Sequence, residues 1–289
     1  MVSISNKILS ATINPLGAEL TTLTKKDIGL NYIWKGDARW WGKHSPVLFP
    51  IVGSLRNDQY TFEGNTYKLP RHGFARERNF TAVKTGDNEA KFVLKSDDES
   101  LHVFPFDFQL ELKYTLVDSA LIVNYTVVNS GSKELLFCIG AHPAFAVPLE
   151  SQLAYEDYYL EFEHRETSGR YNLANGLLLK QYEPLLIDEN KLKLSPDLFV
   201  KDAVVLKHLK SDWVSLKTTK SQHGFRFTIA GWPYLGIWAA ANAAPFVCIE
   251  PWQGHADEVD ASGELKDKPG VVLLDPSRVW QRSWVVELF

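Results

Sequence analysis

Two residues with acid–base chemistry stand at the ends of apolar runs in this chain, where burying a titratable group is costly. In Phe246-Val247-Cys248-Ile249-Glu250-Pro251-Trp252 a period of two puts Phe246, Cys248 and Glu250 on one strand face, and Pro251 is expected to stop the strand. Burial raises a carboxyl pKa unless cations or donors offset it, and such groups concentrate at functional sites. His142 is placed similarly: the apolar run Leu135–Ile139 leads into Gly140-Ala141-His142-Pro143. If the strand persists, Cys138, Gly140 and His142 share a face, with Gly140 leaving room for close approach and Pro143 ending the ladder. A third group of side chains crowds the turn Leu69-Pro70-Arg71-His72-Gly73-Phe74-Ala75-Arg76-Glu77. Together they offer a carboxylate, an imidazole near neutral pKa and cationic donors that grip hydroxyls or phosphate. Each also has a structural reading: a Glu reaching solvent or paired with an Arg, a satisfied His at a strand end, arginines solvated or paired with Glu77.

Only a fold can unite residues so far apart in sequence, and the elements read as strands. Phe108, Leu110, Leu112, Tyr114 and Leu116 alternate with polar residues; so do Leu121, Val123, Tyr125 and Val127 after the corner Asp118-Ser119. That predicts a long hairpin. A shorter one is predicted around Glu63-Gly64-Asn65. Further strands are expected at Asp202–Leu209, Trp213–Thr218, Phe225–Ala230, Pro245–Ile249 and Trp280–Leu288, and Ser45–Arg56 reads as a buried strand leading to an arginine. Ser168-Gly169-Arg170 and Glu183–Leu198 read as long connections. No helix of 12 or more residues shows a 3.6-residue period. Many short strands without βαβ alternation predict an all-β sandwich, taken as one domain over residues 1–289.

Composition narrows the function classes. The chain has 289 residues, 45% hydrophobic and 23% charged, with a formal net charge of -4. It lacks the clustered basic excess of a nucleic-acid binder. No stretch approaches the ~18 apolar residues of a membrane span, and Met1–Ser10 does not read as a signal peptide. Cys138 and Cys248 sit in apolar runs as reduced thiols, so a cytoplasmic location is expected. The 9 Trp, 11 Tyr and 16 Phe suit both a sheet-on-sheet core and sugar stacking. His255, Asp257 and Asp260 form no recognisable metal set and read as a solvated loop.

Four blocks occur in order across nearly the whole chain: Phe49-Pro50-Ile51-Val52-Gly53, Leu69-Pro70-Arg71-His72-Gly73-Phe74-Ala75-Arg76, Gly140-Ala141-His142-Pro143-Ala144-Phe145 and Ile249-Glu250-Pro251-Trp252. They resemble the aldose 1-epimerase (galactose mutarotase-like) family, and within it the LacX-like branch near the hexose-6-phosphate epimerases. The resemblance implies a large antiparallel β-supersandwich with a sugar cleft on one sheet face. It implies that a hexose or hexose phosphate is interconverted between anomers without metal or organic cofactor. Through the matching blocks, His142 corresponds to the catalytic His and Glu250 to the catalytic carboxylate. His72, Arg56 and Asp202 correspond to sugar-binding residues, and Arg76 to the residue facing a phosphate.

Glu250 would then take the C1 hydroxyl proton while His142 protonates the ring oxygen. The two are expected to face each other across a pyranose-wide gap without touching. Arg56, His72, Asp202 and at least one of Arg71 and Arg76 should line the same cleft. The chain departs from the phosphate-binding branch in two places. Trp41-Gly42-Lys43-His44 lacks an arginine found there, and Arg71 replaces a usual Gln; Lys43, Arg71 and Arg76 are the available substitutes. A non-catalytic sugar-binding protein is the main rival, since one fold hosts both. A glycosidase would need two flanking carboxylates.

Overall fold

In a computed structural model, which describes residues 1–241 and 243–289, the chain is built almost entirely from antiparallel strands. Fifteen of them form one large sheet. It runs from Val47–Leu48 through Ile139–Ala141, Phe246–Gln253, Tyr234–Trp238, Val204–Lys207, Tyr158–Ala174 and Trp213–Thr218. It continues through Phe225–Thr228, Val279–Leu288, Ala120–Asn129, Phe108–Val117 and Glu89–Lys95 to Thr81–Lys84, with Ala144–Ala146 beside Phe246–Gln253 and Leu177–Lys193 beside Tyr158–Ala174 off this path. A four-stranded sheet from Val2–Ser5, Leu9–Asn14, Glu19–Lys25 and Leu30–Asn31 completes the β-supersandwich. Among the described residues helix is limited to Asp98–Val103 and five short 3₁₀ turns, and no helix is long and apolar enough to cross a membrane.

The alternating pattern does what a half-buried pleat requires. Along Phe108–Val117, Phe108, Leu110, Leu112, Tyr114 and Leu116 are buried while the residues between them are only partly covered. The strand pairs with Ala120–Asn129 around the corner Asp118-Ser119, as the pattern requires. One continuous apolar core links Ile4 and Leu9 near the N-terminus to Trp284 and Leu288 near the C-terminus. Most aromatics belong to it; Phe49, Phe104 and Phe108, for instance, pack ring against ring at centroid distances of 5.0–6.0 Å.

Several boundaries differ from the sequence reading. The small hairpin pairs Gln59–Phe62 with Asn65–Lys68 over a two-residue turn, Glu63-Gly64, both at positive φ, so Asn65 belongs to the strand. Only Val47–Leu48 of the predicted Ser45–Arg56 strand is in the sheet. Pro251 does not stop its strand, which runs on to Gln253 with Pro251 opposite Leu235.

The largest correction concerns the two expected connections. Ser168–Arg170 and most of Glu183–Leu198 lie in a 17-residue hairpin pair, Tyr158–Ala174 with Leu177–Lys193. Repeated register shifts hide its period, and Pro184 is tolerated because its strand pairs on one side only. The turn end of this hairpin carries Leu173 and Leu178, which pair with each other, to the site described next.

Candidate functional site

The site begins with strand register. Ile139–Ala141 and Ala144–Ala146 both pair with Phe246–Gln253, through Gly140 opposite Trp252 and Ala144 opposite Cys248. Counting inward from both pairs sets His142 against Glu250. Cross-strand neighbours have Cβ atoms about 4.5–5.5 Å apart, so their side chains meet. His142 Nε2 lies 3.2 Å from Glu250 Oε2. The expected pyranose-wide gap is therefore absent, and a ligand must lie over the pair rather than between its members. Gly140 is needed for the same neighbourhood: a Cβ there would come within 2.7 Å of the Trp252 indole.

Both members are nearly inaccessible, His142 at 7% and Glu250 at 1% exposure. Burial dominates their titration. It pushes the Glu250 carboxyl well above its usual range, opposed by the charge of Arg71, and holds His142 down to about 3. Burial also lowers His72 well below the usual imidazole value, with repulsion from His142 and Arg71 next in weight, and takes His255 to about 3. These shifts predict acid lability. A histidine whose native pKa is depressed gains a proton on unfolding at any pH below about 6.5, so its stabilising contribution is intact above that value. The contribution falls as pH drops towards the native pKa, by at most about 1.4 kcal/mol per pH unit for each of the three. Glu250 has the opposite sign, because its raised native pKa makes the unfolded state release a proton. Three against one, the urea midpoint should fall steadily from pH 7 to pH 5; an unchanged midpoint would show that these imidazoles are not held neutral.

His72 stands across from the pair, its ring edge-on to His142 at 5.7 Å. It adopts φ +70 and is followed by Gly73 at φ +69, a tight turn that aims the imidazole inward. Its Nδ1 accepts the Gly53 N–H at 3.1 Å, which places the ring proton on Nε2 and leaves a neutral donor for the cavity. Gly53, at φ +73, packs so closely that an added Cβ would lie 2.5 Å from Ala256 Cα. Arg71 and Arg76 come from the same turn; Arg76 donates to the Arg71 carbonyl at 2.9 Å. Arg71 Nη2 lies 4.0 Å from Asp202 Oδ2. Asp202 also has positive φ, and Arg170, overlooked in the sequence, fixes its loop by donating to the carbonyls of Leu198 and Asp202 at 2.7 and 2.8 Å.

His142, Glu250, Arg71, His72, Arg76 and Asp202 line one cavity of about 380 Å³. Arg56 does not. It begins a 3₁₀ turn after buried Leu55, and its guanidinium faces outward to the Ala261 carbonyl at 3.0 Å. Lys43, a possible anion ligand, is bound to Glu77 at 2.8 Å. The solvated-loop reading of His255 and Asp257 also fails: both are buried, His255 lines the cavity, and Asp257 pairs with Lys268 at 2.7 Å. Asp260 alone is exposed, paired with Lys180.

Aromatic rings complete the cavity, and single-sequence reading did not select them. Trp41 stacks on His142 at 4.9 Å and 26°, while Trp238 meets the same imidazole edge-on at 5.7 Å. Leu173, Leu178, Ala203 and Val205 add apolar lining to the cavity. Among the described residues, eight buried side-chain polar atoms have no aligned hydrogen-bond partner. Four of these line this cavity: Arg76 Nε, His142 Nδ1, Glu250 Oε2 and Trp252 Nε1. Buried polar groups are normally satisfied, so their concentration here marks a place built to receive polar groups from a ligand.

Comparison with known proteins agrees with this architecture. Residues 1–270 match the family model described as aldose 1-epimerase. The chain is 34% identical over 296 residues to the chromosomal protein LacX of Lactococcus lactis subsp. lactis, covering 99% of both chains. A galactose mutarotase related enzyme from Lactobacillus acidophilus superposes with TM-score 0.95 at 33% identity, covering 100% of this chain and 97% of the other. A galactose mutarotase-like protein from Lactobacillus casei ATCC 334 does so with TM-score 0.94 at 32% identity, covering 100% of both.

Proposed function

The chain belongs to the aldose 1-epimerase family, and from that premise we propose that it interconverts the α and β anomers of a hexose by ring opening, with Glu250 as general base and His142 as general acid. The observation that carries this reading is the buried His142–Glu250 contact in a cavity that His72, Arg71, Arg76 and Asp202 also line. The 3.2 Å separation suits the chemistry better than a wide gap would. The C1 hydroxyl and the ring oxygen are bonded to the same carbon, so adjacent side chains can serve both at once. Glu250 accepts the hydroxyl proton, the electron pair of the broken O–H bond becomes the second C1–O bond of the aldehyde, the bond from C1 to the ring oxygen breaks with its pair on that oxygen, and His142 protonates it. Rotation about C1–C2 and the reverse transfers close the ring on the other face and restore both side chains. His72, Arg71, Arg76 and Asp202 hold the sugar, His72 as a neutral donor.

The pair works with a single shared proton. Burial favours the neutral form, protonated Glu250 beside neutral His142; passing that proton across the contact gives the carboxylate and imidazolium that catalysis uses. Activity should disappear in acid when His142, at about 3, binds a second proton and no base remains. It should disappear in alkali when the shared proton leaves. From about pH 5 through the ordinary imidazole range the polarimetric kcat/KM should be flat. A steep fall centred near the ordinary imidazole value would contradict the shared-proton state.

Arg71 and Arg76 both line the cavity, so hexose 6-phosphate is the second reading of the substrate. We take residues 1–289 as one sugar-handling domain, a view supported by the core that joins its first and last strands. Two buried free thiols support a cytoplasmic setting. Polarimetry on freshly dissolved α-glucose, α-galactose and glucose 6-phosphate, with and without protein, tests the activity and its substrate. Accelerated mutarotation of a free hexose supports the main reading, and acceleration confined to the phosphate selects the second. Binding without acceleration overturns the enzyme and leaves a carbohydrate-binding protein.

A further inference from the structure

Cys248 is a fully buried free thiol two residues before Glu250 on the same strand face, and the mechanism gives it no task. Its Sγ, a carboxylate oxygen of Glu250 and a ring nitrogen of His142 all lie within 4.8 Å of one another, the one cluster of metal-ligating side chains found among the described residues. We propose that these three side chains form a binding site for a thiophilic divalent cation of the Zn²⁺ type, entered from the sugar cavity and exclusive of sugar.

The donor set is one that zinc accepts: one thiolate, one imidazole and one carboxylate, with the fourth tetrahedral position left to water from the cavity. Bonds of about 2.0–2.3 Å hold tetrahedral ligands about 3.5 Å apart, so the present spacing needs only small side-chain rotations. Glu250 Oε2 has the His142 contact alone and His142 Nδ1 is buried without an aligned partner, so the metal takes the place of the proton that the two side chains share and breaks no other contact of these atoms. Charge also balances. Zn²⁺ entering the neutral pair and the thiol releases two protons, one from Cys248 and one from Glu250, and leaves a site of zero net charge. Neutrality matters where the rings of Trp41, Trp238 and Phe246 wall the site and a net charge would keep its desolvation penalty. Mg²⁺, which holds its water and seeks six oxygens, is excluded by the same donors.

The test uses Co²⁺ as a spectroscopic stand-in on the chelator-treated full-length protein. Wild type should develop a thiolate-to-cobalt charge-transfer band at one equivalent, and Zn²⁺ should abolish it. Cys248→Ala and Cys248→Ser should lack the band, whereas Cys138→Ala should keep it, with circular dichroism confirming that all are folded. No band in wild type, or a band that survives in folded Cys248→Ala, overturns the site. This readout needs no turnover, so it stands apart from the enzyme reading. Resting on that reading, Zn²⁺ should inhibit wild-type mutarotation, and Cys248→Ala should need roughly tenfold or more Zn²⁺ for the same inhibition while keeping its basal rate. Equal zinc sensitivity in the two proteins also counts against the site.

Discussion

Glu250→Gln is expected to lower catalysed mutarotation by roughly 10²- to 10⁴-fold, the usual worth of a positioned general base. The substitution keeps size and shape at a residue with 1% exposure, so no cavity or clash accompanies the loss. It removes the carboxylate proposed to take the C1 hydroxyl proton, while His72, Arg71 and Asp202 remain to hold the sugar. kcat should therefore fall while sugar affinity, read from quenching of the cavity tryptophans, changes little. His142→Asn should produce a loss of similar size from the acid side. In the double variant the losses should not multiply, because the two side chains trade a single proton across 3.2 Å and act as a unit. Full activity in Glu250→Gln would remove Glu250 from the mechanism.

The site was legible in sequence where local chemistry betrays it, and illegible where register decides. Glu250 and His142 are conspicuous because acid–base residues at the ends of apolar runs have few structural uses. Arg71, His72 and Arg76 share one turn and arrive in the cavity together. Their mutual geometry was another matter: setting His142 opposite Glu250 requires knowing that Gly140 meets Trp252 and Ala144 meets Cys248. Without that register a gap seemed necessary.

Arg56 shows a related limit. Gly53, three residues earlier, lines the cavity, but the 3₁₀ turn after Leu55 sends the Arg56 side chain outward, and proximity in sequence says nothing about direction. Trp41 was hidden for the opposite reason. Its own loop carries no catalytic pattern, and only the tertiary fold lays its ring on His142. The long hairpin escaped notice because its bulges break the period-two pattern that made Phe108–Val117 obvious.

Asp257 and Lys268 were the least legible residues, and they lead to the second large effect. Their side chains, 5% and 2% exposed, meet at 2.7 Å. Asp257 ties the cavity together from behind. Its other carboxylate oxygen accepts the Arg56 backbone N–H at 2.9 Å, its own N–H bonds the Ser54 carbonyl, and its carbonyl accepts from Leu178. Lys268→Met keeps much of the side-chain volume but leaves a carboxylate buried without its cation. Breaking one side of such a pair costs about 3–5 kcal/mol, because the remaining charge keeps its desolvation penalty and loses its attraction. Removing both charges together, as in Asp257→Leu with Lys268→Met, leaves no orphaned charge and should cost less than the single change. The single variant also carries a pH signature. An unpaired buried carboxylate is relieved by protonation, so the gap between wild type and Lys268→Met should narrow as pH falls, even while acid weakens both proteins through their histidines. Urea denaturation at pH 7 and pH 5 measures both quantities. A gap below about 1 kcal/mol at pH 7, typical of an exposed pair, would show that water reaches Asp257 and that the contact is not the buried clasp described here.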